Sequence, residues 1–163
     1  MDRKGAFDEV ANTDTRVLIL GSLPGEASLA ARQYYAHPRN AFWRLTGAVL
    51  GEDLAALPYE ARIDRLLARG VGLWDVIKTA RRQGSLDAAI REVEPRDLAA
   101  MTARLPNLRA VAFNGGKAAK IGEKMLPGSR LALITLPSSS PANASLGFDG
   151  KLTAWAVLRE FLP

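Results

Sequence analysis

The sequence contains no cysteine and a single histidine, His37. Without cysteine there is no disulfide bond and no thiolate metal site, and a single histidine argues against a zinc site built from protein ligands. No apolar run approaches the roughly 20 residues that a membrane-spanning helix needs. The first ten residues lack the apolar core of a secretory signal, so a cytoplasmic location is expected.

The composition is typical of one folded domain. The chain has 163 residues, of which 48% are apolar, and it shows no internal repeat or low-complexity tract. We expect a single domain over residues 1–163, with residues 1–15 as a polar surface lead-in that Phe7 and Val10 pin to the body. The net charge of +5 suits a polyanionic partner such as DNA, although many basic proteins bind no nucleic acid.

Short apolar runs alternate with stretches of helical periodicity. Strands are predicted at residues 17–20, 71–76, 109–113 and 131–136, and helices at 40–50, 58–69, 95–105, from 116 to about 126, and after 150. This alternation predicts an α/β fold, a three-layer α/β/α sandwich around a central, mainly parallel four-stranded sheet. Lys78, Arg81 and Arg82 are expected in a loop.

A loop rich in glycine, proline or polar residues follows each predicted strand. In parallel sheets such loops meet at the carboxyl ends of the strands, where ligands bind. The first of them, residues 21–25, holds two glycines and a proline, which predict a tight turn with exposed backbone amides. Tyr35, His37 and Asn40 follow shortly after it. The sequence therefore predicts one site at this edge of the sheet.

This first segment resembles the mismatch-specific uracil-DNA glycosylases, which show G-x-N-P-G, then an aromatic residue followed by A-H-P-x-N-x-F-W. The matching residues here are Gly21, Pro24, Gly25, Tyr35, Ala36, His37, Pro38, Asn40, Phe42 and Trp43. Leu23 stands where that family carries a water-positioning asparagine. With Asn40 retained, a leucine there is similar to the hypoxanthine-DNA (deoxyinosine) glycosylase branch of the uracil-DNA glycosylase superfamily. The resemblance returns at residues 72–76, 113–117 and 136–143, and so covers almost the whole chain.

The resemblance implies a monofunctional, metal-independent DNA glycosylase with no cofactor. It would flip a deaminated base out of the duplex, most readily hypoxanthine, and hydrolyse its N-glycosidic bond to leave an abasic site. No lysine lies in the first motif loop, so a Schiff-base lyase step is not expected. The expected partner is DNA that contains a deaminated base, bound by a monomer that works at the nucleoid.

Five residues are expected to touch the flipped base, and one to act on the reaction. The resemblance implies that Tyr35 stacks on the base, and the backbone amides of Ser22, Leu23 and Gly25 could touch the base or the water. Leu23 itself cannot orient water. Asp75 could accept from N1–H of hypoxanthine, or it could be a structural acid paired with Lys78 or Arg81.

Asn40 is the predicted catalytic residue. Its amide can accept from water and donate to the base or the sugar, but it cannot act as a general base. Asparagine is also a good helix N-cap, and both roles can hold together because a cap lies where helix-end donors are exposed.

The remaining candidates are predicted to contact DNA. They are His37, Asn114, Lys117, Pro137, Ser138, Ser139, Ser140 and Leu146. By resemblance, the Pro/Ser-rich loop grips phosphates and Leu146 fills the gap left by the base. Without the resemblance, the loop would be read as a surface turn and His37 as a packed, hydrogen-bonded residue. The 114–117 stretch lacks the P-loop pattern, so nucleotide hydrolysis is not expected.

Three other functions stay open at this stage. The nearest is a uracil or mismatch-specific glycosylase with a different water-holding group. Leu23 also motivates a catalytically inactive module that binds lesions. The third is an enzyme that acts on free nucleosides.

Overall fold

A computed structural model describes residues 3–5 and 7–163. Numbered in chain order, the strands are β1 (Arg3–Gly5), β2 (Val17–Gly21), β3 (Val71–Asp75), β4 (Ile77–Arg81), β5 (Arg91–Pro95), β6 (Ala110–Asn114) and β7 (Ala132–Leu136). The helices are α1 (Glu26–Ala31), α2 (Phe42–Leu50), α3 (Tyr59–Ala68), α4 (Leu98–Ala103), α5 (Gly116–Gly122) and α6 (Phe148–Trp155). Short 3-10 turns lie at Leu54–Ala56, Asp87–Ala89, Glu123–Met125 and Ala156–Phe161.

The central sheet has four parallel strands in the order β3-β2-β6-β7. Its two inner strands, β2 and β6, are fully buried, because helices cover both faces. Val17 and Ile19 face a core shared with α2, α3 and α6, whereas Leu18 and Leu20 face a core shared with α4 and α5. The prediction of a three-layer α/β/α sandwich with a four-stranded parallel sheet is confirmed.

A second, antiparallel sheet was not predicted. It contains β1, β4 and β5 in the order β1-β4-β5. The prediction of a loop at Lys78 and Arg81 was wrong, since both lie in β4. These strands escape a periodicity search because β5 is almost wholly exposed and β4 buries only Ile77 and Ala80. Charged, half-exposed strands carry little of the apolar pattern that marks the central sheet.

Two other boundaries differ from the prediction. Pro95 ends β5 and does not open a helix; α4 begins at Leu98, where the Asp97 carboxylate accepts from the Ala100 N–H at 3.0 Å. The segment after β2, expected to be loop, contains the six-residue helix α1. Short helices with few apolar residues have weak sequence signals, because tertiary contacts rather than propensity hold them.

The N-terminal segment lies against the body of the protein. The Phe7 ring meets the Tyr34 ring edge-on with centroids 5.0 Å apart, and Val10 exchanges backbone hydrogen bonds with Leu73 at 2.9 and 2.8 Å. Residues 1, 2 and 6 of the predicted lead-in lie outside the described residues. In the part of the chain that the structure describes, no helix is long and apolar enough to cross a membrane.

Candidate functional site

The four parallel strands bring their carboxyl ends to one edge of the central sheet. Gly21 at the end of β2 is in register with Asp75 at the end of β3, and Asn114 at the end of β6 is in register with Leu136 at the end of β7. The segments that follow these residues carry the candidates from the sequence. The edge therefore collects side chains from positions far apart in the chain.

Three buried polar atoms at this edge make no hydrogen bond of regular geometry with a described residue: Asp75 Oδ2 and the hydroxyl oxygens of Tyr34 and Tyr35. The Tyr34 hydroxyl nevertheless lies within interaction range of the Asp75 carboxyl, and the Tyr35 hydroxyl within range of the Asn114 side chain. Asp75 is only 3% exposed. A Cβ atom built on Gly21 would lie 2.9 Å from Asp75 Oδ1 and 3.1 Å from the Tyr35 hydroxyl, so both groups converge over this glycine. An unpartnered buried polar group costs about 1–3 kcal/mol, and a ligand that pairs with it removes that cost.

The surroundings of Asp75 set its protonation. Burial raises the pKa of this carboxyl from its usual value to about 7, and the charge of Asp87 adds to the rise. The guanidinium groups of Arg96 and Arg82 and the Tyr34 hydroxyl oppose it. Near neutral pH, Asp75 is therefore present in both protonation states. Burial raises the pKa of Tyr34 above its usual value, so its hydroxyl remains a neutral donor.

Tyr35 is fixed by an aromatic stack. Its ring lies nearly parallel to that of Phe42, with centroids 3.9 Å apart and an interplanar angle of 16°. Phe42 is itself held edge-on by Trp43 and Trp155. The Tyr35 backbone has φ 55°, a left-handed conformation that is uncommon for residues other than glycine. With one ring face covered by Phe42, a base could stack only on the opposite face.

Asn40 uses its oxygen for structure and leaves its amide nitrogen available. Asn40 Oδ1 accepts from the Phe42 N–H at 2.9 Å and so holds the start of α2. The Asn40 backbone N–H donates to the His37 carbonyl at 2.9 Å. Among the described residues none accepts from Asn40 Nδ2. The cap and the catalytic interpretation are thus compatible in this geometry.

The turn at residues 21–25 offers its backbone rather than its side chains. The Ser22 hydroxyl donates to Asp87 Oδ1 at 2.6 Å, and Leu23 is 6% exposed in the core beneath α4 and α5. Gly25 is half-buried. Any base contact from this turn would therefore come from peptide groups.

Asn114 and Ser139 are buried and paired with each other. Asn114 Nδ2 donates to Ser139 Oγ at 2.9 Å, and the Ser139 N–H donates to Asn114 Oδ1 at 2.9 Å. The Ser139 carbonyl accepts from the Ala41 N–H at 3.0 Å. These two side chains join the loops after β6 and β7 to the start of α2, and they are not open to direct DNA contact in this arrangement.

The rest of the loop after β7 is folded by its own serines. Ser138 Oγ accepts from the Ser140 N–H at 3.1 Å, and Ser140 Oγ accepts from the Ala142 N–H at 3.2 Å. Because each hydroxyl oxygen accepts locally, each O–H proton stays available for a phosphate oxygen. The Pro137 carbonyl accepts from Trp155 Nε1 at 2.9 Å, and this hydrogen bond fixes the first residue of the loop.

Three further candidates lie nearer to solvent. Leu146 is 44% exposed, and Lys117 is half-buried in the first turn of α5. His37 Nδ1 accepts from the Arg39 N–H at 3.1 Å, so its other ring nitrogen can donate outward. All three side chains are therefore at least partly accessible from solvent, as contact with DNA would require.

Comparison with known proteins gives the family. Residues 7–159 match the family model of the uracil DNA glycosylase superfamily. The chain belongs to this superfamily. It is 39% identical over 154 residues to the Hypoxanthine DNA glycosylase of Methanosarcina barkeri, covering 94% of this chain and 96% of that one. It is 42% identical over 157 residues to the Hypoxanthine DNA glycosylase of Methanosarcina acetivorans, covering 96% and 99%.

A solved structure is also similar to this chain. It is the solution NMR structure of a Methanosarcina acetivorans protein whose description names uracil DNA glycosylase. The TM-score is 0.88 at 39% identity, and the match covers 98% of this chain and 99% of that one. The predicted membership of the superfamily is thereby confirmed, both by sequence identity and by the fold.

Three residues of the site were missed from the sequence. Tyr34 precedes the motif aromatic and carries no separate signal. Arg82 lies 1% exposed against the turn after β2, and the Arg96 guanidinium lies 4.1 Å from the centre of the Trp74 ring. A buried arginine cannot be told from an exposed one in a basic stretch, because only the fold decides which way it points.

Proposed function

We propose that this superfamily member is a monofunctional DNA glycosylase that excises hypoxanthine from deoxyinosine in DNA. The proposal rests mainly on a buried acceptor and a buried donor that lie together at the site edge: Asp75 Oδ2 and the Tyr34 hydroxyl make no hydrogen bond of regular geometry and interact with each other electrostatically. The two Methanosarcina relatives described above, both named hypoxanthine DNA glycosylase, support the choice of base.

The Asp75 carboxyl and the Tyr34 hydroxyl match one edge of hypoxanthine. That base offers an N1–H donor beside an O6 acceptor, and Asp75 accepts while the Tyr34 hydroxyl donates. Adenine presents an acceptor at N1 and donors at N6, so the same pair of groups would reject it. Uracil offers N3–H beside O4, which is the same order of donor and acceptor. Guanine and thymine present this order as well, so the two groups separate hypoxanthine from adenine but not from guanine, and uracil is the second candidate among the deaminated bases.

The proposed reaction is hydrolysis of a flipped nucleotide. The base stacks on the face of the Tyr35 ring opposite Phe42, and the bond between C1′ and the base nitrogen breaks with its electron pair going to the base. Asn40 Nδ2 donates to the departing base or orients the water, whose oxygen bonds to C1′ and whose proton ends on the base. No metal or cofactor takes part in this scheme.

The surroundings of the site would hold the duplex. The hydroxyls of Ser138 and Ser140, the Lys117 ammonium and the outer nitrogen of His37 would contact phosphates. Leu146 would occupy the space that the flipped base leaves. We propose that a monomer, acting at the nucleoid, is the working form.

The test is a lesion panel. Labelled duplexes that carry one deoxyinosine or one deoxyuridine are incubated with the protein and treated with alkali to cut abasic sites. We expect cleavage at deoxyinosine. Release of uracil without hypoxanthine would move the assignment to a uracil or mismatch glycosylase. Tight binding without release of any modified base would indicate a lesion-binding module. Hydrolysis of free deoxyinosine, with a rate that does not depend on the length of the DNA, would indicate an enzyme that acts on free nucleosides.

A methyl group at Gly21 tests the convergence of Asp75 and Tyr35. In Gly21→Ala the new Cβ would lie 2.9 Å from Asp75 Oδ1 and 3.1 Å from the Tyr35 hydroxyl, so one of them must move. We expect single-turnover excision to fall about tenfold, because misplaced groups lose alignment. Gly5→Ala is the matched control, since Gly5 also ends a strand and has nothing within 4 Å of a built Cβ. Equal rates for both variants would contradict the proposed pocket.

A further inference from the structure

One buried side chain holds the turn between Gly21 and Gly25 from behind. Arg82 donates from its terminal nitrogens to the carbonyl oxygens of Leu23 and Pro24, and from Nε to the Gly84 carbonyl at 3.0 Å. It is 1% exposed. A guanidinium buried to this degree is costly unless it is hydrogen-bonded, and here each of its three nitrogens donates to one backbone carbonyl.

The residues after Arg82 continue this contact with the turn. Ser85 Oγ accepts from the Glu26 N–H at 2.8 Å, and Asp87 Oδ1 accepts from the Ser22 hydroxyl at 2.6 Å. Residues 82–87 therefore bind the turn near its start and in its middle, and they also bind Glu26, the first residue of α1. We call them the clamp segment.

The clamp segment fixes the direction of one backbone donor. In a trans peptide unit the C=O and the following N–H point in opposite directions. Because the Pro24 carbonyl points to Arg82, the Gly25 N–H points away from it. No described residue accepts from this N–H, and Gly25 is half-buried, so a ligand can reach it. The charge of Arg82 on the carbonyl also polarises the peptide group and strengthens its N–H as a donor.

We propose that Arg82 is a positioning residue for glycosidic bond cleavage: it presents the Gly25 N–H to the negative charge that develops on the departing base. This inference rests on the proposed function. Proline at position 24 has no N–H of its own, so Gly25 carries the donor that the arginine can orient in this part of the turn. Lysine would not replace it, because an ammonium lacks the planar fork that reaches two neighbouring carbonyls at once.

The test uses Arg82→Ala and Arg82→Lys beside the wild-type protein. Single-turnover release of hypoxanthine should fall about tenfold or more in both, because the donor loses its alignment. Affinity for a duplex with non-cleavable 2′-fluorodeoxyinosine should stay close to that of the wild type. Millimolar guanidinium should restore part of the rate of Arg82→Ala, with sodium chloride of equal ionic strength as the salt control.

The matched control is Arg159→Ala. Arg159 also donates to two neighbouring backbone carbonyls, those of Val49 and Ala48, but these lie at the C-terminal end of α2, opposite to the end that follows Asn40. It should lose stability without a comparable loss of rate, and guanidinium should not raise its rate. A rate for Arg82→Ala equal to the wild type, or a loss that guanidinium leaves unchanged in a folded variant, would overturn the proposal.

A measurement on the wild type covers the case in which the variants do not fold. In 15N-labelled protein, binding of the 2′-fluorodeoxyinosine duplex should shift the Gly25 amide proton downfield as it gains an acceptor. An unchanged Gly25 resonance overturns the role of Arg82 even if the wild type excises hypoxanthine. A wild type that releases no base would instead remove the proposed function, and the positioning role with it.

Discussion

Replacing Asn40 with alanine is expected to reduce single-turnover excision of hypoxanthine by about 10²–10³-fold, the effect of losing one donor aimed at developing charge. Asn40 Nδ2 has no acceptor among the described residues, whereas Asn40 Oδ1 is engaged by the Phe42 N–H. The amide nitrogen is therefore the part of this side chain that can serve the reaction. The measurement is base release from a deoxyinosine duplex with enzyme in excess.

The structural role of Asn40 calls for a second variant. Asn40→Ala also removes the acceptor at the start of α2, which costs about 1 kcal/mol of folding free energy. Asn40→Asp keeps an oxygen for the Phe42 N–H but has no donor in place of Nδ2. We expect it to fold as well as the wild type and to lose a similar share of activity. An active Asn40→Asp would make Asn40 a cap only and move the chemistry to Asp75 or the turn at residues 21–25.

The rate of excision is expected to rise with pH and to level off above an inflection near the Asp75 pKa of about 7. The ionised carboxylate is the stronger acceptor for N1–H of hypoxanthine, and a hydrogen bond to a charged group is worth about 1.5–3 kcal/mol. Asp75→Asn can accept but not ionise, so its profile should be flat and its rate at pH 8 about 10- to 100-fold lower. A wild-type inflection that persists in Asp75→Asn would assign the titration to another group.

The same carboxyl should make the wild type less stable as the pH rises. Burial raises the pKa of Asp75 in the folded protein above that of the unfolded chain, so the folded state holds a proton that the unfolded state releases. The stabilisation is complete below the unfolded pKa of about 3.9. It is lost at up to about 1.4 kcal/mol per pH unit as the pH rises through the folded value. Urea unfolding of the wild type and of Asp75→Asn between pH 4.5 and 8 measures this loss of stability. A difference in the free energy of unfolding between the two proteins that does not change with pH would contradict the prediction.

The sequence predicts the parts of this fold that bury apolar residues in regular patterns. The four strands of the central sheet are short apolar runs ended by glycine, a polar residue or, after β7, proline, a pattern typical of buried parallel strands. The antiparallel sheet was missed because β4 and β5 are mostly charged and exposed. Its presence matters, since the clamp segment connects these two strands and contacts the turn after β2.

The sequence indicates which motif residues lie at the site edge but not how their side chains are oriented. The motif pointed to Tyr35, Asn40 and Asp75, and the structure brings the side chains of Tyr35 and Asp75 together over Gly21. The motif could not indicate that Leu23 points into the core. Burial and pairing depend on contacts between segments far apart in the chain, and a one-dimensional pattern carries no record of them.

The buried pair of Asn114 and Ser139 has a mechanical consequence. The Ser139 carbonyl accepts from the N–H of Ala41, the residue that follows Asn40, and its neighbours Ser138 and Ser140 are half-buried. One peptide group therefore connects the loop to the start of α2, a single residue away from Asn40. We expect a phosphate bound by the Ser138 or Ser140 hydroxyl to shift the Asn40 side chain as well, so that DNA binding and the orientation of this amide are coupled.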